Sequence, residues 1–336
     1  MRDGFLSGCL KISVSKDLTE NKEIEDLGLS EEAFNIAKKE LREDQNAREQ
    51  CLLQLKNWIL KNEDIRNIRL DSNFLLRFLR VKKFSVPMAQ QNLLKYLNFK
   101  RIFPNMVSNL DYMSASQIDI LNKGYLFVSP VRDRQGRRVV ILNVGQLNPK
   151  VQTSAEMAKA HFIAYETLLT DPENQVRGII HVADVSSMTT SHITFWNPSD
   201  FGKVIKWGEQ SIPIRHKEIH IVNLPQSLKW LLDFVKNRMS SKMKDRFFTH
   251  VSMNELSKSV DTAALPLEMG GTIPTKDMIE SWKKELAAKR DLVLALDNMR
   301  ILSDRGIITR KDRNNNPSDN KLAQSLPGSF RKLEFD

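Results

Sequence analysis

Two cysteines in 336 residues, Cys9 and Cys51, are too few for a disulfide framework. Neither stands in a metal-type spacing, so both are expected as free thiols. Long apolar runs are also missing. No stretch reaches the roughly 18 residues that span a bilayer, and residues 1–18 lack the uninterrupted apolar core of a secretory signal. These absences predict a cytoplasmic protein. The signatures of nucleotide and acyl chemistry are absent too: no Gly-x-Gly-x-x-Gly, no Gly-x-x-x-x-Gly-Lys-Ser/Thr and no Gly-x-Ser-x-Gly occurs. Six histidines make no helical metal pair, because His216 and His220 are read as falling across a loop and a strand. Asp184, at the end of an apolar run, is expected to satisfy the backbone of the next turn, and Gly270-Gly271 reads as a tight turn. The sequence therefore predicts no catalytic residue, no metal, no cofactor and no enzyme.

What is present is an ordinary globular composition, 41% hydrophobic and 27% charged, with a net charge of +10. The charge favours anionic partners, nucleic acid or acidic membrane. Nucleic acid is the weaker of the two, since the cations lack interleaved aromatic stacking platforms. Length predicts one large domain with a smaller one attached.

The first third reads as successive helices. Ser30 caps a segment to Leu41, residues 47–61 follow, Asp71 caps 74–81, and Ser85 opens a helix with Pro87 in its first turn that ends near Ile102. From Gly124 the pattern becomes mixed α/β. Residues 125–130 and 138–144 flank the hairpin-like turn Asp133-Arg134-Gln135-Gly136, then a helix at 154–169, a strand at 178–185, a helix at 198–208 and a strand at 217–222. That alternation predicts a largely parallel sheet carrying helices. Residues 299–336 turn polar and are expected to form a disordered tail.

Residues 227–239 are more apolar than one packing face needs. Helical spacing spreads Leu228, Trp230, Leu231, Leu232, Phe234, Val235 and Met239 over roughly 200°, about twice the stripe of a surface helix. Lys242 and Arg246 follow as a cationic edge. The segment reads either as a well-buried helix followed by a solvated charged one, or as a lid that meets a membrane.

The run DSNFLLRFLRVKKF at 71–84 resembles the N-terminal helical module of the CRAL-TRIO lipid-transfer family. GY at 124–125, RDRQGR at 132–137, NPKV at 148–151, IHIVNLP at 219–225 and LPLEMGGT at 265–272 continue the resemblance in order. It implies an extension at 1–26, a helical module at 27–104, a lipid-binding domain at 110–275 and a C-terminal helix at 276–298. It also implies a sheet flooring an apolar cavity, closed by a mobile gate bearing Trp230, Leu231 and Phe234.

By the same resemblance, phosphoinositide headgroups are met by Lys82, Arg215, Lys217, Lys242 and Arg246. Ten Lys and Arg against four Asp and Glu between Lys203 and Arg246, and eight against one between Arg69 and Arg101, agree. The cavity lining is expected from His161, Tyr165, Val182, Val204, Trp207, Ile212, Ile214, Ile219 and Val235. Plain core packing is the alternative for each apolar member. Tocopherol-carrying members have small hydroxyl residues where His161 and Tyr165 stand, which argues against tocopherol itself. The resemblance thus implies a cytosolic, monomeric carrier of one small hydrophobic lipid, a retinoid, tocopherol or related molecule, reversibly peripheral to endosomal or plasma membranes. The alternative is a phosphoinositide-reading adaptor of endosomal traffic.

Overall fold

In the computed structural model, residues 28–194 and 198–308 are described, and Cys9 lies outside them. The helical module forms where the sequence supplies caps. Ser30 accepts from the Ala33 amide to start Glu31–Ile36, which runs on as one π-helical turn, Ala37–Leu41. Asp44 opens Gln45–Lys61 and Asp71 opens Ser72–Val81, each accepting an amide three residues on. Val86–Ile102 begins at Ser85 with Pro87 in its first turn, although the Ser85 hydroxyl makes no cap bond.

The Asp71 run works as glue. Phe74, Leu75, Leu76, Phe78 and Leu79 are all fully buried. Its arginines are buried with them: Arg77 pairs with Glu166 at 2.7 Å and Arg80 with Glu43 at 2.8 Å. Tyr96 donates to the other oxygen of Glu166 at 2.8 Å. Glu166 belongs to the helix Ser154–Leu168 of the sheet domain, so these bonds lock the two parts together. One continuous apolar core runs from Leu52 to Ile301.

Strand β1 (Ile65–Arg66) pairs antiparallel with a late strand, β7 (Arg300–Ile301). The central sheet orders β2 (Leu126–Val128), β3 (Arg138–Asn143), β4 (Ile179–Asp184), β5 (His216–Val222) and β6 (Phe247–His250). Strands β2 and β3 are antiparallel, joined through a turn in which Gly136, at φ 70°, donates its amide to the Asp133 carbonyl. The others run parallel, with Ser154–Leu168, Pro198–Ser211 and Lys229–Lys236 among the crossover helices. Val140, His181, Ile219 and Phe247 share one register row; Ile141, Val182, His220 and Phe248 share the next, on the opposite face. Tyr165 meets His181 and His216 edge-on, so the helix Ser154–Leu168 covers the His181 face.

Three expectations change. His216 and His220 both lie on β5, and each bonds another histidine at 2.9 Å, His181 and His250 respectively. Residues 247–250 form the edge strand β6, so the charged segment after residue 240 is only the short helix Ser241–Lys244 and a turn. The folded chain also continues past residue 298: β7 pairs with β1, Leu302 donates to the Asp64 carbonyl at 2.7 Å, and Gln91 bonds both Gly306 and Ile308. Residues 309–336 of the expected tail lie outside the described residues.

Asp184 accepts from the Ser186 amide at 2.9 Å, the turn role read from the sequence. Gly270 takes φ 92°, and a Cβ on Gly271 would stand 1.8 Å from the Leu265 oxygen, so this turn requires glycine. Among the described residues no helix is long and apolar enough to cross a membrane, and no three His, Cys, Asp or Glu are arranged to hold a metal.

Candidate functional site

The crossover from β5 to β6 carries the apolar segment singled out in the sequence. A 3₁₀ turn, Gln226–Leu228, leads into the helix Lys229–Lys236, in which no residue is buried. Trp230 is 54% exposed, and Leu231, Leu232, Phe234 and Val235 are half-buried. The reading of this segment as a well-buried helix is therefore wrong. Its fixed contacts lie at its C-terminal end: Lys236 sits 5.5 Å from the Phe247 ring, Arg238 lies 3.5 Å over Phe234, and the Ser240 amide donates to Glu209 at 3.1 Å.

The packing around β5 is open as well. Ile219 and Ile221 on β5 are only half-buried although β5 has a strand on either side, and Val204, Trp207 and Ile212 are half-buried as well. A close-packed interior would shut such residues completely. His161 and Tyr165 also retain accessible surface. Yet burial pulls the His161 imidazole down to about 4 and drives the Tyr165 phenol well above its ordinary range. Accessible surface that remains on such deeply placed groups marks incomplete packing around them.

His161, Tyr165, Ile219, Val204, Trp207, Ile212 and Val235 come from the elements around this space. Ile214 is nearly closed off at 6% exposure. Val182 is not brought to it: fully buried, it shares the opposite sheet face with His220, because consecutive strand residues point to opposite sides and His181 takes the inward place. Sequence reasoning missed His181, His216 and Tyr125. Counting two residues back from the inward Ala183 would have found His181. His216 depends on a register shift with no sequence signal.

The expected cations converge. Lys82 ends the helix Ser72–Val81, and the next two residues, Lys83 and Phe84, both take left-handed backbone at φ 50° and 61°, a strained geometry that persists only where surroundings enforce it. Arg215 and Lys217 flank His216 at the start of β5. Gly178, at φ 79°, makes this possible, since a Cβ there would stand 2.5 Å from the Arg215 oxygen. Lys242 and Arg246 come from the turn before β6, and Arg246 donates to the His216 carbonyl.

Burial and then repulsion from Lys95 and Lys242, opposed by Glu209, bring the Lys82 ammonium down to about 8. Burial first lowers Lys242, which also feels Arg246, Lys83 and Arg215; Lys217 responds in the same way to burial, Arg215 and Arg246. All five cations thus share one field, and Lys83 and Lys95 join it unforeseen. Besides Glu209, a second acid enters: Glu40, from the π-helical turn, accepts from Arg215 at 2.5 Å and from Lys217 at 2.9 Å. Of the eight cations counted between Arg69 and Arg101, Arg77, Arg80 and Lys100 are consumed in ion pairs with Glu166, Glu43 and Asp297. The cluster owes its strength to position more than to that count.

Comparison with known proteins finds a family and several relatives. The CRAL/TRIO domain matches residues 122–271. The alpha-tocopherol transfer protein-like protein of Mus musculus is 33% identical over 264 residues, covering 78% of this chain and 76% of that one. Clavesin-1 of Pongo abelii is 29% identical over 260 residues, 77% and 73% of the two chains. Among solved structures, the crystal structure of Sfh5 overlays with a TM-score of 0.47 at 13% identity, over 75% of this chain and 99% of that one.

Proposed function

The chain belongs to the CRAL/TRIO family, and from that premise we propose that it carries one small hydrophobic lipid and exchanges it at phosphoinositide-bearing membranes. Lipid binding, not catalysis, is its role; the relatives are named for transfer and as clavesins. One observation supports the finer reading: the crossover helix Lys229–Lys236 has no buried residue, Ile219 and Ile221 on the strand that leads into it are only half-buried, and Lys242 and Arg246 follow it in the chain.

Apolar burial at about 25 cal/mol per Å² retains the lipid. Swinging the helix out in water exposes the same surface, so release is slow. At a bilayer the apolar arc finds hydrocarbon while the cations meet phosphates, and opening becomes cheap. The carrier acts as a monomer, reversibly peripheral to endosomal or plasma membranes. A retinoid, a tocopherol or a related isoprenoid fits this reading.

Phe234→Asp tests it, because a carboxylate resists entry into both cavity and bilayer. Transfer of a fluorescent lipid between vesicles should slow at least about tenfold while headgroup binding is kept; an unchanged transfer rate removes the gate. Native mass spectrometry of protein from its own tissue addresses the cargo. A co-purifying lipid supports the carrier. An empty cavity with strong phosphoinositide binding would instead make the chain an adaptor of endosomal traffic.

A further inference from the structure

The sheet face turned away from Tyr165 carries a chain of three titratable side chains on its last two strands. Glu218 and His220 stand on β5 and His250 on β6, all on one side of the pleat. Nε2 of His220 bonds Oε2 of Glu218 at 3.1 Å, and Nδ1 of His220 bonds Nε2 of His250 at 2.9 Å. The Phe248 ring stacks on His220 with centroids 5.2 Å apart, and both imidazoles are buried. Strand β6 is only Phe247–His250, and among the described residues no strand lies on its other side. The bond from His220 to His250 is therefore a side-chain tie that supplements a short backbone ladder.

Glu218 decides which nitrogens donate. Its bond with His220 and then Arg137 at 2.7 Å, working against burial, bring the carboxyl down to about 2, so it only accepts. Nε2 of His220 thus carries a proton. In the neutral ring Nδ1 accepts, so Nε2 of His250 donates to it, and Nδ1 of His250 is left as an acceptor with no partner among the described residues. A first proton enters at that nitrogen without the loss of a bond. A second, on His220, puts a hydrogen on both facing nitrogens, and the tie becomes a repulsive contact between two cations.

We propose that His220 and His250 form an acid-released latch, in which double protonation unties the edge strand β6 from β5 and frees the turn before it, which carries Lys242 and Arg246. The latch belongs to the sheet and goes beyond the carrier reading, since it needs neither lipid nor membrane. The charges facing the pair set where it acts. Glu218, itself held by Arg137 of β3, favours a proton on His220, while His181 of β4 faces the pair as a further imidazole from the other side of the sheet. Glu255, in the helix Met253–Leu256 packed against both strands, binds the Val251 amide at 2.7 Å and favours a proton on His250. Burial and then His220 outweigh it, so His250 is held below its ordinary value. The folded state thus prefers His250 neutral: the tie is intact above about pH 6.5, the ordinary histidine value, and is lost as the pH falls below it.

Backbone amide exchange of the full chain, followed at pH 7.5, 6.0 and 5.0 and corrected for intrinsic rates, reads the latch. Ile219 and Asn223 donate to the carbonyls of Arg246 and His250, and their protection should fall at least about tenfold from pH 7.5 to 5.0, while the amides of β3, inside the sheet, change by less than about threefold. In the same protein the Cε1 proton shift of His250 should titrate over the interval in which protection is lost. His250→Gln, whose amide donates to His220 but takes no proton, should remove the loss, and so should His220→Gln. An equal response in β3, or a loss of protection at a pH where His250 does not titrate, overturns the proposal in the parent protein alone. A loss that persists in either variant assigns it to another group and overturns it too.

Discussion

The helices Ser72–Val81 and Lys229–Lys236 are built from similar ingredients, aromatic and aliphatic residues interspersed with cations, and they end in opposite circumstances. In the first, seven consecutive residues from Phe74 to Arg80 are buried, arginines included. In the second, none is. Amphipathic pattern alone does not separate a buried helix from an exposed one. What separates them is whether neighbours close around the apolar side and whether carboxylates wait for the cations. Glu43 and Glu166 hold Arg80 and Arg77 at full burial, whereas Lys242 and Arg246 face mostly other cations.

The largest effect expected from breaking this contrast is on the structural side. Arg80→Ala leaves the buried Glu43 carboxylate with Arg48 as its remaining cation and should destabilise the fold by about 3–5 kcal/mol. Thermal denaturation checks it; a loss below about 1 kcal/mol would mean that the Asp71 run is not the glue described here.

On the functional side the readout changes. Lys242→Ala with Arg246→Ala should weaken binding to phosphoinositide vesicles at least about tenfold and flatten its salt dependence. Thermal stability should fall by no more than about 1–2 kcal/mol, chiefly from the bond to the His216 carbonyl. Vesicle co-sedimentation across a salt series measures this, and parent-like binding would detach the cations from membrane contact.

Glu40→Gln is predicted to act in the other direction. The carboxylate already neutralises part of Arg215 and Lys217, so its removal should tighten vesicle binding about threefold. Weaker binding would show that Glu40 orients the two cations instead of competing for them.

The smallest effect is a pH dependence. Lys82 has its ammonium brought down to about 8, so it is charged at pH 7 and loses its proton as the pH passes through 8. Phosphoinositide binding should therefore fall about twofold to threefold between pH 7 and 9. Lys95 and Lys242 push it down and Glu209 opposes them. Lys82→Arg should abolish the slope; a slope that survives belongs to another group.

Much of the fold was legible because it is written locally. Caps at Ser30 and Asp71, the turn at Gly136 and the strand-helix alternation after Gly124 depend on neighbours within a few residues. Strands β1 and β7 were not, because two-residue strands more than 200 residues apart carry no periodicity. Strand β6 was hidden too: Phe247 to His250 lie at a sheet edge, exposed in part, directly after a charged run. Of the expected site residues, Val182 was misplaced by one position in a strand, enough to reverse its face, while the roles of the five cations and of Trp230, Leu231 and Phe234 belong to the proposed function.

By itself, then, the sequence determined the elements, their order and the surplus of apolar and cationic side chains near residue 240, since these follow from short-range spacing and composition. Only the tertiary structure decided which surplus is spent. Arg77 and Arg80 disappear into ion pairs with residues of distant segments. A one-residue bulge turns His216 inward beside His181 while Arg215 and Lys217 reach Glu40 at the surface. Those outcomes depend on partners brought together from 35 to 177 residues away, and no local pattern encodes such a meeting.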